Sequence, residues 1–237
     1  MTREGVVLKT RPHRDHDIIV ELLTGEYGRL SLVARAARKS TKRFGGALEL
    51  GTKIQAEIKP ARRGPLNSLS TCSILRAPRN TSRHLERIYQ LAYVLEIMER
   101  LTLQGQEERA NTAGLEAYLE LLEDVTPSHA DLVNWELWVL RQNGYDFQLW
   151  PCMESGLQAD GFSLAFGGAI STARIRANDT FVCPGAALKA ASEMSTGEFS
   201  GAGDEVHGGV RGLLNHIWNG VLERPLKSAV FIGPGSF

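Results

Sequence analysis

Arg29-Leu-Ser-Leu-Val-Ala-Arg35 alternates polar and apolar residues, the period-two signature of a strand with one wet and one buried face. Upstream, Gly5-Val-Val-Leu-Lys-Thr10 and Ile18-Ile-Val-Glu-Leu-Leu-Thr24 read as strands, and Gly25-Glu-Tyr-Gly28 supplies a turn. Downstream, Thr52-Lys-Ile-Gln-Ala-Glu-Ile-Lys59 alternates again, and Leu69-Ser-Thr-Cys-Ser-Ile-Leu75 completes the set beyond the breakers Pro60, Gly64 and Pro65. Five short strands in so short a stretch predict a small barrel, and the five-stranded OB-fold is the expected form.

The period changes at Thr81 or Ser82, either of which is expected to cap a helix. Leu85, Ile88, Leu91, Ala92, Leu95 and Met98 then recur at helical spacing. Further helices are expected over 111–123, from Thr126-Pro-Ser128 to Asn143-Gly144, and over 185–194 and 206–222, with Pro225 opening a short last element. Residues 145–182 read as an irregular, glycine-rich insert. The expected organisation is α+β: a barrel domain over 1–80 and a helical domain over 81–237.

The formal net charge is zero, yet residues 1–80 hold 16 Lys and Arg against 7 Asp and Glu, and the remainder holds 11 against 20. Such asymmetry points to a polyanion at the basic end. The densest stretch is Arg35-Ala-Ala-Arg-Lys-Ser-Thr-Lys-Arg43, which carries no acid. A solvated loop would look the same in isolation. Set in a basic barrel, it predicts phosphate binding by Lys9, Arg11, His13, Arg14, Arg35, Arg38, Lys39, Lys42 and Arg43, extended by Arg62 and Arg63. His13 and His16 flank Asp15 and Asp17, but a solvated turn is the expected role. No phosphate-binding glycine loop or catalytic triad can be read, so no enzyme activity and no cofactor are expected. There is no run of eighteen apolar residues and no apolar signal-peptide core, and three scattered cysteines fit a reducing cytoplasm.

Gly5-Val-Val-Leu-Lys-Thr-Arg-Pro-His-Arg-Asp-His-Asp17 resembles the opening of the bacterial RecO family of DNA repair proteins. Leu22-Leu-Thr-Gly-Glu-Tyr-Gly-Arg-Leu30, the basic stretch with Arg43-Phe-Gly-Gly-Ala-Leu48, and Leu222-Glu-Arg-Pro-Leu-Lys-Ser228 are similar to later family elements. The resemblance implies an OB-fold, a helical bundle and a zinc-ribbon-like insert. It implies a recombination mediator that binds single- and double-stranded DNA and anneals complementary strands. RecR, the single-strand-binding protein SSB and, indirectly, RecA are its implied partners. An OB-type RNA- or ribosome-associated protein is the alternative.

Many relatives carry two Cys-x-x-Cys pairs in the insert. Here the positions read Cys152-Met-Glu-Ser155 and Ser171-Thr-Ala-Arg174, so no zinc is expected. Phe162, Leu164, Phe166, Ile170, Ile175 and Phe181 are the expected replacement cluster. The acidic, apolar tail of SSB would need an apolar pocket beside a cation, for which Arg87, Arg141, Arg211 and Lys227 are the candidates.

Overall fold

The computed structural model describes residues 1–61, 65–175, 178–201 and 203–233, in two compact units, Met1–Thr126 and Pro127–Phe237. In the first, β1 (Thr2–His13), β2 (Asp17–Thr24), β3 (Gly28–Ala34), β4 (Lys53–Lys59) and β5 (Asn67–Arg76) close a barrel in the order β1-β2-β3-β5-β4. This is the five-stranded barrel the alternation predicts. Closure depends on β1, which pairs with β4 over Thr2–Val6 and with β2 over Val6–His13. An irregularity between Val7 and Lys9 bends the strand from one partner to the other. Gly5 sits at this crossing, where a β-carbon would collide with the Leu23 carbonyl. Parallel pairing of β3 with β5 completes the ring. Val7, Leu22, Leu32, Ile54, Ile58 and Leu69 fill the interior, and Phe44 plugs it from the short helix α1 (Thr41–Phe44).

The same unit includes α2 (Leu85–Leu101) and α3 (Arg109–Asp124). Neither Thr81 nor Ser82 caps α2. Thr81–Arg83 form a separate 3-10 turn, and His84 precedes the helix. The cause is Glu123, whose carboxylate accepts from the Thr81 amide (2.9 Å), the Thr81 hydroxyl (2.5 Å) and the Asn80 amide (3.0 Å). Tertiary contacts thus claim the capping side chain.

In the second unit α4 (His129–Gln142) opens with a capping box between Ser128 and Asp131. The insert is more regular than its composition suggests. β6 (Gly161–Ser163), β7 (Gly168–Ile170) and β8 (Phe181–Val182) form a three-stranded sheet in the order β7-β6-β8. Helices α5 (Gly185–Thr196) and α6 (Asp204–Leu222) follow. Phe162 and Ile170 are fully buried, Phe181 stacks on His216 with centroids 4.9 Å apart, and Leu164 lies against Gly220. Phe166 does not join them. It stands at the β6–β7 turn and is 51% exposed, because the turn carries it away from the sheet face.

Carboxylates clip the insert loops. Asp179 accepts from the Ser163 hydroxyl (2.7 Å) and the Ala165 amide (2.8 Å), and Asp160 from the Thr172 amide (2.7 Å) and hydroxyl (2.8 Å). Hydrogen bonds from Thr172 hold the Asp160 carboxyl below its ordinary range.

Candidate nucleic-acid interface

The β1–β2 turn and the stretch after β3 are stitched together at one end of the barrel. Arg14 adopts a left-handed conformation in the turn, as does Ala36 just beyond β3. Asp17 accepts a hydrogen bond from the Ala36 amide (2.8 Å), and the Arg38 amide donates to the His16 carbonyl (3.1 Å). Asp17 therefore serves the backbone, Asp15 and His16 belong to the turn, and His13 ends β1 opposite Asp17. His13, Arg14, Asp17, Val33 and Arg35 line a cleft of about 270 Å³ whose far wall is Pro65 and Leu66.

Residues 35–43 form structure where a loop is expected. A 3-10 turn over Ala37–Lys39 leads into α1. Arg43 holds this bend: its Nε donates to Ser40 Oγ (2.9 Å), its Nη2 to the Arg35 carbonyl (2.9 Å), and its guanidinium lies 4.9 Å from the Phe44 ring centroid. Arg38 makes one long hydrogen bond to the Asp15 carbonyl (3.4 Å). Arg14, Arg35, Lys39 and Lys42 are exposed, and among the described residues none of them is paired with a carboxylate.

Lys9 and Arg11 lie on the β1 face and are engaged. Lys9 Nζ meets both oxygens of Glu99 (2.9 and 3.0 Å), with Arg29 at 3.9 Å from the same carboxylate. Arg11 donates to Glu21 Oε1 (2.9 Å), a buried carboxylate that also accepts from Ser31 Oγ (2.6 Å). Arg62 and Arg63 lie outside the described residues. The sequence reading missed Lys59, an exposed cation at the end of β4, in register with Ser68, which faces Val33 of the cleft. A single lysine at a strand end gives no signal in the sequence.

The four cations proposed for a peptide tail divide in the same way. Arg87 is buried and ties down the end of α3, donating to the carbonyls of Leu122 (2.8 Å) and Glu123 (2.9 Å) and to Thr126 Oγ1 (3.2 Å). Arg211 is 2% exposed and forms a two-pronged pair with Glu136. Burial removes both from any surface role. Arg141 is exposed beside Asp146 (3.1 Å). Lys227 is exposed next to a cleft of about 270 Å³ lined by Trp218, Pro225, Leu226 and Val230.

The residues at the insert's metal positions do not fit zinc. Only Cys152 among Cys152, Ser155, Ser171 and Arg174 is a thiolate donor. Burial pushes its thiol up, but hydrogen bonds from Ser155, Glu154 and Ser171 outweigh this and lower it. Cys183 is buried, which pushes its thiol up to about 11. Among the described residues no three or more His, Cys, Asp or Glu cluster as a metal site would require.

A family model described as recombination protein O N terminal matches residues 1–78, and one described as recombination protein O C terminal matches residues 82–229. Among curated proteins, the chain is similar to the DNA repair protein RecO of Koribacter versatilis, 31% identical over 66% of this chain and 64% of that one. It is similar to that of Anaeromyxobacter sp. strain K, 36% identical over 64% of this chain and 60% of that one. It is also similar to that of Myxococcus xanthus, 30% identical over 97% of this chain and 95% of that one. The matches to the first two span less than two thirds of those relatives' own length.

Proposed function

The chain belongs to the recombination protein O family, and from that premise we propose that it serves DNA repair and homologous recombination as a non-catalytic mediator. It binds single- and double-stranded DNA, screens the repulsion between complementary strands so that they pair, and with RecR helps RecA load onto SSB-coated DNA in the cytoplasm. The observation that carries this reading is the set of exposed cations, Arg14 and Arg35 lining one cleft at one end of the barrel, and Lys39 and Lys42 on the bend that follows β3. Phosphates displace counterions there without reading bases, so binding is sequence-tolerant and salt-sensitive. His13 and Arg38 extend this surface, and Arg43 holds its shape. Lys9 and Arg11 contribute less, because carboxylates already neutralise them. Among the described residues no helix is long and apolar enough to cross a membrane.

For the acidic, apolar tail of SSB, the cleft lined by Trp218, Leu226 and Val230 offers an apolar wall, and the exposed Lys227 follows Leu226 in the chain. Strand annealing of SSB-coated complementary DNA, with and without RecR, tests the reading. Acceleration is expected, and greater with RecR. Failure to anneal DNA, together with tighter binding of RNA than DNA, would favour the RNA-binding alternative.

A further inference from the structure

The cleft between the β1–β2 turn and the residues that precede β5 has two kinds of wall. Arg14 and Arg35 bring cations to it, while Val33, Pro65 and Leu66 give it an apolar lining. Phosphates need only the cations. The apolar lining is therefore more than a phosphate uses. Pro65 is exposed and Leu66 half-buried, so this lining is open to a ligand. At about 270 Å³ the cleft falls just below the ~300–1,000 Å³ of pockets for drug-sized molecules, a size that suits one flat ring system.

We propose that this cleft receives one unpaired nucleobase of a single strand, with the flanking phosphates on Arg14 and Arg35. The proposal rests on the DNA-binding reading above and deepens it. A base has two apolar faces for Val33, Pro65 and Leu66 to cover, and His13 and the arginine guanidinium groups are planar surfaces of the kind on which bases stack. The carboxylate in the lining, Asp17, is committed to the backbone, because its Oδ1 accepts from the Ala36 amide (2.8 Å). The base is thus held by its faces rather than read at its edges, and the cleft tolerates any sequence.

A duplex cannot use the cleft in this way. Its bases are paired and stacked on one another, and swinging one out costs free energy that a single strand does not pay. The same cations therefore serve both forms of DNA, while the cleft serves only the single strand. Pairing with a complementary strand withdraws the base from the cleft, so annealing itself loosens the grip on the product.

The test uses the full-length chain labelled with ¹⁵N and three probes of equal length: an oligothymidylate strand, the same sugar-phosphate strand with every base removed, and the thymidine–adenine duplex. The base-bearing strand is expected to bind about tenfold more tightly than the abasic strand with the same salt slope, since both carry the same phosphates. It is expected to shift the Leu66 amide, while the abasic strand and the duplex shift Arg14 and Arg35 but leave Leu66 in place. Leu66→Ser is expected to narrow the tenfold gap to about threefold or less. Equal binding of the base-bearing and abasic strands by the wild-type chain, or an equal Leu66 shift with the duplex, would overturn the proposal and leave the phosphate reading intact. Binding of the abasic strand that does not weaken with salt would overturn the phosphate reading and the proposal with it.

Discussion

Arg211 and Glu136 face each other in the interior of the second unit as a two-pronged ion pair, Nη1 to Oε2 at 2.8 Å and Nη2 to Oε1 at 2.7 Å. Trp218 Nε1 donates to the same carboxylate at 2.8 Å, so one buried acid joins α4 to two turns of α6. Removing one partner leaves a buried charge uncompensated. Arg211→Ala or Glu136→Ala is expected to cost about 3–5 kcal/mol in urea unfolding, and an apolar double replacement less than the sum of the single losses. A loss below about 1 kcal/mol for either single variant would contradict the role assigned to this pair.

Reversing charge at Arg35, Lys39 and Lys42 is expected to weaken DNA binding uniformly across sequences. It should also flatten the dependence of log K on log salt by roughly 2–3 units. Fluorescence anisotropy across a salt series checks this. Arg43→Met should differ, weakening DNA binding and also loosening the 35–44 bend, visible as faster amide exchange there. An unaltered salt slope in the triple variant would remove these residues from the interface.

Glu99→Gln offers a gain-of-binding test. It releases Lys9 and Arg29 from the carboxylate they share, while leaving both cations in place. DNA affinity and the salt slope are expected to rise, the slope by about one unit. Unchanged affinity would place Lys9 outside the path of the phosphates.

His129 faces His207, Nδ1 to Nδ1 at 2.9 Å, with the rings edge to face. Burial first, then the charges of Arg211 and His207, lower its pKa from 6.5 to about 4. The folded value lies below the unfolded one, so the unfolded chain takes up the proton first. Stability is then full above about 6.5 and falls as pH drops toward 4, by on the order of 2–3 kcal/mol. Urea midpoints between pH 7 and 4 are expected to show this slope, and His129→Gln to reduce it. An equal slope in the variant would assign the pH dependence to other groups.

Purified protein is expected to hold well under one zinc ion per chain by elemental analysis, and a chelator is expected to leave its melting temperature unchanged. Asp160→Asn and Asp179→Asn should instead loosen the insert, since these carboxylates clip its loops. Stoichiometric zinc would overturn the account of the insert.

The barrel was legible because strand-length apolar segments stand between turn residues, and in β4 the alternation holds, with Ile54, Ala56 and Ile58 buried between more exposed neighbours. The long helices were legible for the corresponding reason at period 3.6. The insert sheet was not, because strands of two or three residues are too short to show a period. The candidate interface was legible as a region but not residue by residue. Lys39 and Arg43 are near neighbours in the same basic run, yet one is exposed without a carboxylate partner and the other folds the bend.

The sequence by itself determined the barrel, the helices, the family and the charge asymmetry, because these depend on local period, motif order and composition. Only the tertiary structure decided which cations remain available. Lys9 is matched to Glu99 across 90 residues and Arg211 to Glu136 across 75. An ion pair depends on distance in space between side chains, and strand register and helix packing fix that distance through contacts among all the elements at once.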